Sequence, residues 1–241
     1  MKEQHLLSYV RRAVQDYDMI QEGDRIAIGI SGGKDSLILA LALRQLQRFY
    51  PKKFDIVGIT VSLGFDNFDL TGVHDFFEKL EVPFEVVDTQ IGKIIFDIRK
   101  ESNPCSLCSK MRKGALYDYA KKLGCTKIAL GHNKDDINET LLMSLLYEGR
   151  IHTMAPKTYM DQVDLHIIRP LIYVPEGDIR GFVKREALPV VKSPCPVDGK
   201  TKREDTKQLI YAIQKEIPRV QDHIFGAVQR SQIEGWQNKE A

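Results

Sequence analysis

The chain is poor in the residues that carry several common designs. It has four cysteines, one tryptophan and a formal net charge of +2 over 241 residues. So small a charge excludes polyanion binding by bulk attraction, and any basic surface must come from local clustering. No apolar run approaches the ~20 residues of a membrane span, so no membrane association is expected. The N-terminus, MKEQHLLSYVRRAVQDYD, carries acids and lacks a signal-peptide core, which predicts a cytoplasmic chain. In that compartment four cysteines point to metal or catalytic duty more than to disulfides. No internal repeat or low-complexity linker breaks the sequence, so residues 1–241 read as one domain. With 43% hydrophobic and 28% charged residues, it can bury a full core.

What is present centres on IAIGISGGKDS, Ile26–Ser36. A β-branched run ends at Ile30 and Ser31-Gly32-Gly33 interrupts it. Leu37–Leu46 then reads as an apolar helix, with Asp35 or Ser36 suited to its N-cap. Strand, glycine turn, helix is a phosphate-cradle design, because bare backbone amides and the positive helix end converge on an anion. It is not a Walker A loop, since Asp35 follows Gly33-Lys34 and Ile28 stands where the first glycine belongs. Nor do Gly29, Gly32 and Gly33 fit a dinucleotide fingerprint.

Along the chain, periodicity predicts an N-terminal helix over 3–19, packing with Leu6, Leu7, Val10, Val14 and Tyr17 on one face. Strands follow at Asp55–Val61, Phe84–Asp88, Thr126–Leu130 and around Leu165–Ile168. Helices are expected at Leu70–Leu80, Ile91–Arg99, Lys110–Leu123, Ile137–Tyr147, Glu176–Glu186, Thr201–Ile217 and Val220–Ile233. The stretch 103–108 reads as a loop, Ser193–Pro196 as a constrained loop and Glu234–Ala241 as a frayed tail. Strands alternating with helices predict an α/β fold with a doubly wound parallel sheet and a helical C-terminal part over 176–241.

Cys105 and Cys108 form a C-x-x-C, which fits a redox dithiol, half a zinc site or part of an iron–sulfur cluster. Cys125, just before a strand, reads as a small buried hydrophobe. Cys195 sits between Pro194 and Pro196, in a rigid setting that suits a ligand. Three thiolates would leave one iron of a 4Fe–4S cubane open, and zinc with His132 or His152 as fourth ligand is the competing arrangement.

SGGKDS resembles the PP-loop of the ATP pyrophosphatase superfamily, whose members cleave ATP between the α and β phosphates and adenylate a substrate. Followed by P-C-S-L-C with a basic helix start, then GHNKDDINET, then S-P-C-P, the order resembles the TtcA family of tRNA-thiolating enzymes, which make 2-thiocytidine. The resemblance spans about residues 1–220. It implies a 4Fe–4S cluster on Cys105, Cys108 and Cys195, with ATP and Mg²⁺ in the PP-loop cleft. Ser31, Gly32, Gly33, Lys34, Asp35 and Ser36 would hold phosphates, and Thr60 and Val61 would line the adenine pocket. Gly131, His132, Asp135 and Asp136 would complete the nucleotide site, with Asp35 and Asp135 or Asp136 as metal carboxylates. Lys34, Asp136 and the three cysteines are the catalytic candidates. The base oxygen would attack the α-phosphate, and sulfide from the cluster would then displace AMP. Lys110–Lys113 and Lys200–Arg203 are the candidate RNA contacts. A cysteine desulfurase or other sulfur donor and a homodimer are implied partners. Two alternatives remain: a PP-loop sulfurtransferase or desulfidase for another base or a small molecule, and a non-catalytic nucleotide and cluster sensor.

Overall fold

A computed structural model describes residues 1–65, 67–99, 104–192, 194–195 and 202–237. The strands are β1 (Asp24–Gly29), β2 (Phe54–Ser62), β3 (Phe84–Asp88), β4 (Lys127–Ala129), β5 (Lys157–Met160) and β6 (Leu165–Ile168). The helices are α1 (Glu3–Asp16), α2 (Lys34–Leu46), α3 (Thr71–Lys79), α4 (Ile91–Lys93), α5 (Pro104–Lys122), α6 (Lys134–Glu148), α7 (Glu176–Arg185), α8 (Lys202–Glu216) and α9 (Val220–Gln229). A π-helical stretch, Ile94–Arg99, continues α4.

The strands pair in the order β3-β2-β1-β4-β6-β5. All neighbours run parallel except the β5–β6 hairpin, which is antiparallel. The sheet is therefore mostly parallel. β5 escapes the sequence reading because KTYM is a short edge strand with half its residues polar. Alternate residues feed two cores. Ile26, Ile28 and Ile56 face α1, α2 and α3, whereas Ala27, Val57, Ile59 and Val61 face α5. The chain leaves β1 for β2 on one side and returns to β4 on the other, so strand order reverses between β1 and β4. Their carboxyl ends form the crevice where open α/β sheets take ligands.

Four local expectations are corrected. Helix α2 begins at Lys34 with Gly33 as its N-cap, not at Asp35 or Ser36. Helix α5 begins at Pro104, so the two cysteines read as loop lie in its first turns; proline is pre-organised for a first helical position. The last helix ends at Gln229 rather than Ile233. The tail is not frayed through Trp236, which is buried, packs on Tyr17 and Phe225 at 5.8 and 5.6 Å, and donates its indole N–H to the Met154 carbonyl. So large an apolar ring decides the local outcome against the polar residues around it.

Candidate nucleotide and thiol site

The turn after β1 is closed by its own side chains. The Ser31 amide donates to Ser36 Oγ at 3.2 Å, Ser36 Oγ donates to the Gly33 carbonyl at 2.9 Å, and the Gly33 amide donates to Ser31 Oγ at 3.2 Å. Gly32 stands at φ 77°, in the region that side chains disfavour, so the turn needs glycine there. Its carbonyl accepts from the Val191 amide at 2.9 Å, tying the turn to the segment that leads to Cys195. The first amides of α2 have no carbonyl partner within the helix and point out of this turn.

The second arm is the segment after β4. Asn133 caps α6, accepting from the Asp135 and Asp136 amides at 2.9 and 3.2 Å, while the Asp136 carboxylate accepts from the Asn133 amide at 2.9 Å. The Asn133 side-chain amide also donates to Asp35 Oδ1 at 3.0 Å. One residue thus fixes Asp136 and joins it to the first arm. Asn133 was missed among the candidate residues, although the N-x-x-D capping pattern before an apolar run is visible in the sequence.

Between the arms and α5 lies a cavity of about 530 Å³, within the range of small-ligand sites. Ser31, Asp35, Ser36, Val61, Gly131, His132 and Asp136 line it, as do Cys105, Cys108 and Cys195. The cysteines that sequence places about ninety residues apart therefore face one space. Cys105 and Cys108, three positions apart on α5, share a helix face. Burial raises the Cys108 thiol; Arg112 pulls it down, and Cys195 and Cys105 push it up. Arg112 and Lys113 reach the same cavity and offset the charge that several thiolates would bring. Among the described residues, no three His, Cys, Asp or Glu side chains stand at single-ion spacing. A cubane spreads its thiolates over separate irons, so a shared cavity lined by three thiols fits that group.

Other candidates lie elsewhere. Thr60 is buried on the opposite face of β2 and donates to the Ile30 carbonyl at 2.9 Å; Ile59 and Val61 line the cavity instead, as strand alternation requires. Gly32 and Gly33 shape the turn from behind the lining. The Asp135 carboxylate turns away and accepts from the Glu176 amide at 2.7 Å, leaving Asp35 and Asp136 as the carboxylates at the cavity. The Lys34 ammonium is not in the lining; it pairs with Asp35 at 2.8 Å and Glu176 at 3.0 Å. Burial opposes its charge, but those two carboxylates hold its pKa above the ordinary lysine value. Arg203 pairs with Asp136 at 3.4 Å and Glu139 at 3.2 Å. Lys200 lies outside the described residues, and Cys125 is buried against α5 as read.

Burial raises the Asp136 pKa; the Asn133 amide and Arg203 lower it, and Asp35 raises it. His132 is held neutral. Burial first, then Arg169, Arg203 and Lys113, press its pKa to about 3, and its Nδ1 has no hydrogen-bond partner among the described residues. The folded chain thus refuses a proton that the unfolded chain takes below about pH 6.5. Stability from this group is complete above that pH and is lost as pH falls toward 3. At pH 5 the loss is about 2 kcal/mol. The expected result is that His132→Gln flattens the fall in unfolding free energy between pH 7 and 5, measured by denaturant titration. Parallel curves for the two proteins would place the acid sensitivity elsewhere.

Comparison with known proteins gives the family. A PP-loop domain family matches residues 3–210. The chain is 38% identical over 232 residues to a tRNA-cytidine(32) 2-sulfurtransferase of Teredinibacter turnerae, covering 95% of this chain and 76% of the relative. It is 39% identical over 222 residues to one of Pelobacter propionicus, covering 91% and 82%. Among solved structures it is similar to a U34-tRNA thiolase from Methanococcus maripaludis with its 4Fe–4S cluster, at TM-score 0.73 and 24% identity, covering 91% of this chain and 76% of that one. An NH3-dependent NAD synthetase from Campylobacter jejuni matches at TM-score 0.52 and 16% identity, covering 96% and 95%. These two likenesses speak to the fold. With the strand–glycine turn–helix cradle, the capped second arm and the relatives above, the chain belongs to the PP-loop family and, within it, to the tRNA-cytidine(32) 2-sulfurtransferase family.

Proposed function

We propose that this chain is an ATP-dependent sulfurtransferase that converts a tRNA cytidine to 2-thiocytidine, with residues 1–241 acting as one unit. The observation that carries the reading is the single cavity shared by the phosphate turn and three cysteines. ATP activation and sulfur delivery must meet at one carbon, and a cavity lined by both the turn and the thiols supports that reading.

In this reading ATP lies along the carboxyl ends of β1 and β4. The amides of Ser31–Ser36 and the first turn of α2 receive its phosphates. Asp35 and Asp136 hold Mg²⁺, which needs few protein ligands when phosphates and water supply the rest. Lys34 reaches a phosphate by exchanging Glu176 for it. The cytidine O2 attacks the α-phosphorus, the bond to the β-phosphate oxygen breaks, and pyrophosphate leaves as its charge is neutralised. The O2-adenylated carbon then accepts a sulfur nucleophile and AMP departs. Cys105, Cys108 and Cys195 would hold a 4Fe–4S cluster, which would supply the sulfur-delivery chemistry. Arg112 and Lys113 bring the RNA phosphates to the mouth. A cysteine desulfurase or similar donor, a homodimeric state and a cytoplasmic location complete the proposal. No helix among the described residues is long and apolar enough to cross a membrane.

Incubating the reconstituted protein with ATP, Mg²⁺, sulfide and unmodified tRNA tests the reading by nucleoside mass spectrometry. ATP-dependent 2-thiocytidine is expected. Thiouridine in its place would move the activity to another base, and no thiolated nucleoside would favour a sensor.

A further inference from the structure

The π-helical stretch Ile94–Arg99 puts one aromatic ring into the cavity that the nucleotide chemistry leaves without a task. Phe96 lines that cavity and is only partly buried. The ring of Phe65 backs it, with centroids 6.1 Å apart and planes at 49°. Their arrangement depends on Gly92. A Cβ there would lie 2.9 Å from two ring carbons of Phe65 and 2.9 Å from the Leu63 carbonyl. Side-chain contacts that close are not tolerated, so glycine at 92 lets Phe65 support Phe96 from below. The π geometry adds a residue to the turn and re-aims the side chains after it, a device frequent at functional sites.

Phe96 lines the cavity together with Cys105, Cys108 and Cys195. Its π stretch packs against α5, and Phe96 shares a core cluster with Leu107, Cys108 and Met111 of that helix and with Val61 of β2. Arg112 and Lys113 line the same cavity. A cytidine in a folded RNA cannot present C2 to buried sulfur chemistry while stacked on its neighbours. It must be extruded and given another surface to stack on. An aromatic face in the cavity that the three thiols line, with Arg112 and Lys113 lining the same space, is that surface.

We infer that Phe96 is the stacking platform for the RNA base that is thiolated, supported by Phe65. The inference rests on the proposed function and adds a residue to it. A nucleobase at this ring has two sources, the extruded cytidine and the adenine of ATP, and the assignment is to the cytidine.

The test compares Phe96→Ala, Phe96→Leu and Phe96→Trp with the unaltered protein, all reconstituted anaerobically. Iron content and ATP affinity are measured for each, then kcat/KM for tRNA at saturating ATP. Stacking of a base on an aromatic residue is worth about 1–3 kcal/mol. Phe96→Ala should therefore lower kcat/KM for tRNA by roughly 5- to 150-fold with ATP affinity unchanged. Phe96→Leu should be nearly as poor, although it keeps an apolar side chain, and Phe96→Trp should restore most of the activity. Iron content should stay the same throughout. Equal activity in Phe96→Leu and the unaltered protein would overturn the assignment. A loss confined to ATP affinity would overturn it in favour of an adenine platform, and a loss of iron would make the residue structural. If the unaltered protein itself thiolates no RNA, it is the proposed function that fails, and that outcome is read before any variant.

Discussion

Replacing Cys195 with serine should remove bound iron and thiolation together, while Cys125→Ala should leave both in place. The contrast follows from where the two thiols stand. Cys195 faces Cys105 and Cys108 across one cavity, close enough that its charge raises the Cys108 pKa. Cys125 is 5% exposed among Ala120, Ile128 and Leu165, and burial pushes its thiol up, so it stays protonated and inert. A cubane with three protein thiolates has none to spare. Reconstituted protein should carry about four irons per chain, and Cys195→Ser close to none. Loss of an outer partner costs metal sites about 10- to 100-fold in affinity or activity, and loss of a ligand should exceed that. Quantified iron and sulfide with the broad visible absorbance of the cluster give the answer. Iron retained by Cys195→Ser, or lost from Cys125→Ala, would contradict the assignment. Zinc in place of iron would remove the sulfur-delivery step and leave an adenylating protein.

Glu176→Ala should cause the largest loss of stability of any single charge deletion at the site. The Glu176 side chain is 8% exposed and stands among three cations: Lys207 at 2.7 Å, Lys34 at 3.0 Å and Arg180 at 3.6 Å. Burial pushes its carboxyl up, but Lys207 and Lys34 more than reverse this and hold it below the ordinary glutamate value. The carboxylate joins three helices, with Lys34 opening α2, Glu176 opening α7 and Lys207 on α8. Without it, three cations face one another with little water to separate them. Breaking a buried pair from one side costs about 3–5 kcal/mol. For a chain of this size that lowers Tm by roughly 6–20 °C. Glu176→Gln keeps the shape and one acceptor, so its loss should be smaller. The carboxylate is worth having only above its own pKa, so the advantage over Glu176→Gln should fade as pH drops through the depressed folded value. Thermal unfolding of the three proteins at neutral pH decides the matter, and a shift of under about 2 °C for Glu176→Ala would show the tie to be solvent-screened.

The phosphate turn was legible because it is local. Its glycines, serines and lysine are adjacent in sequence, and backbone conformation alone gives them meaning. The place of Cys195 at the cavity was legible for a related reason, since two prolines mark it. Thr60 was misplaced because a strand was read as a segment when the deciding property was its two-residue alternation, which buries Thr60 behind the sheet. Cys105 and Cys108 were read as loop because Asn103-Pro104 looks like a break, whereas Pro104 opens the helix. Other features carry no local signal. Glu176, Lys207 and Arg203 become one charge network only once α7 and α8 pack on α2 and α6. Phe96 looks like an ordinary apolar position until the π turn aims it into the cavity. The carboxylates show the same limit, for Asp135 and Asp136 are neighbours in sequence and only the capping box turns one toward the site.

The most direct measurement is a single-turnover reaction of reconstituted protein with radiolabelled ATP and unmodified tRNA, counting AMP, pyrophosphate and 2-thiocytidine from the same sample. One AMP and one pyrophosphate per 2-thiocytidine, with no ADP, is the result expected if the phosphate turn and the three thiols serve one reaction at one carbon. ADP as the product, or AMP formed with no thiolated cytidine, would contradict it.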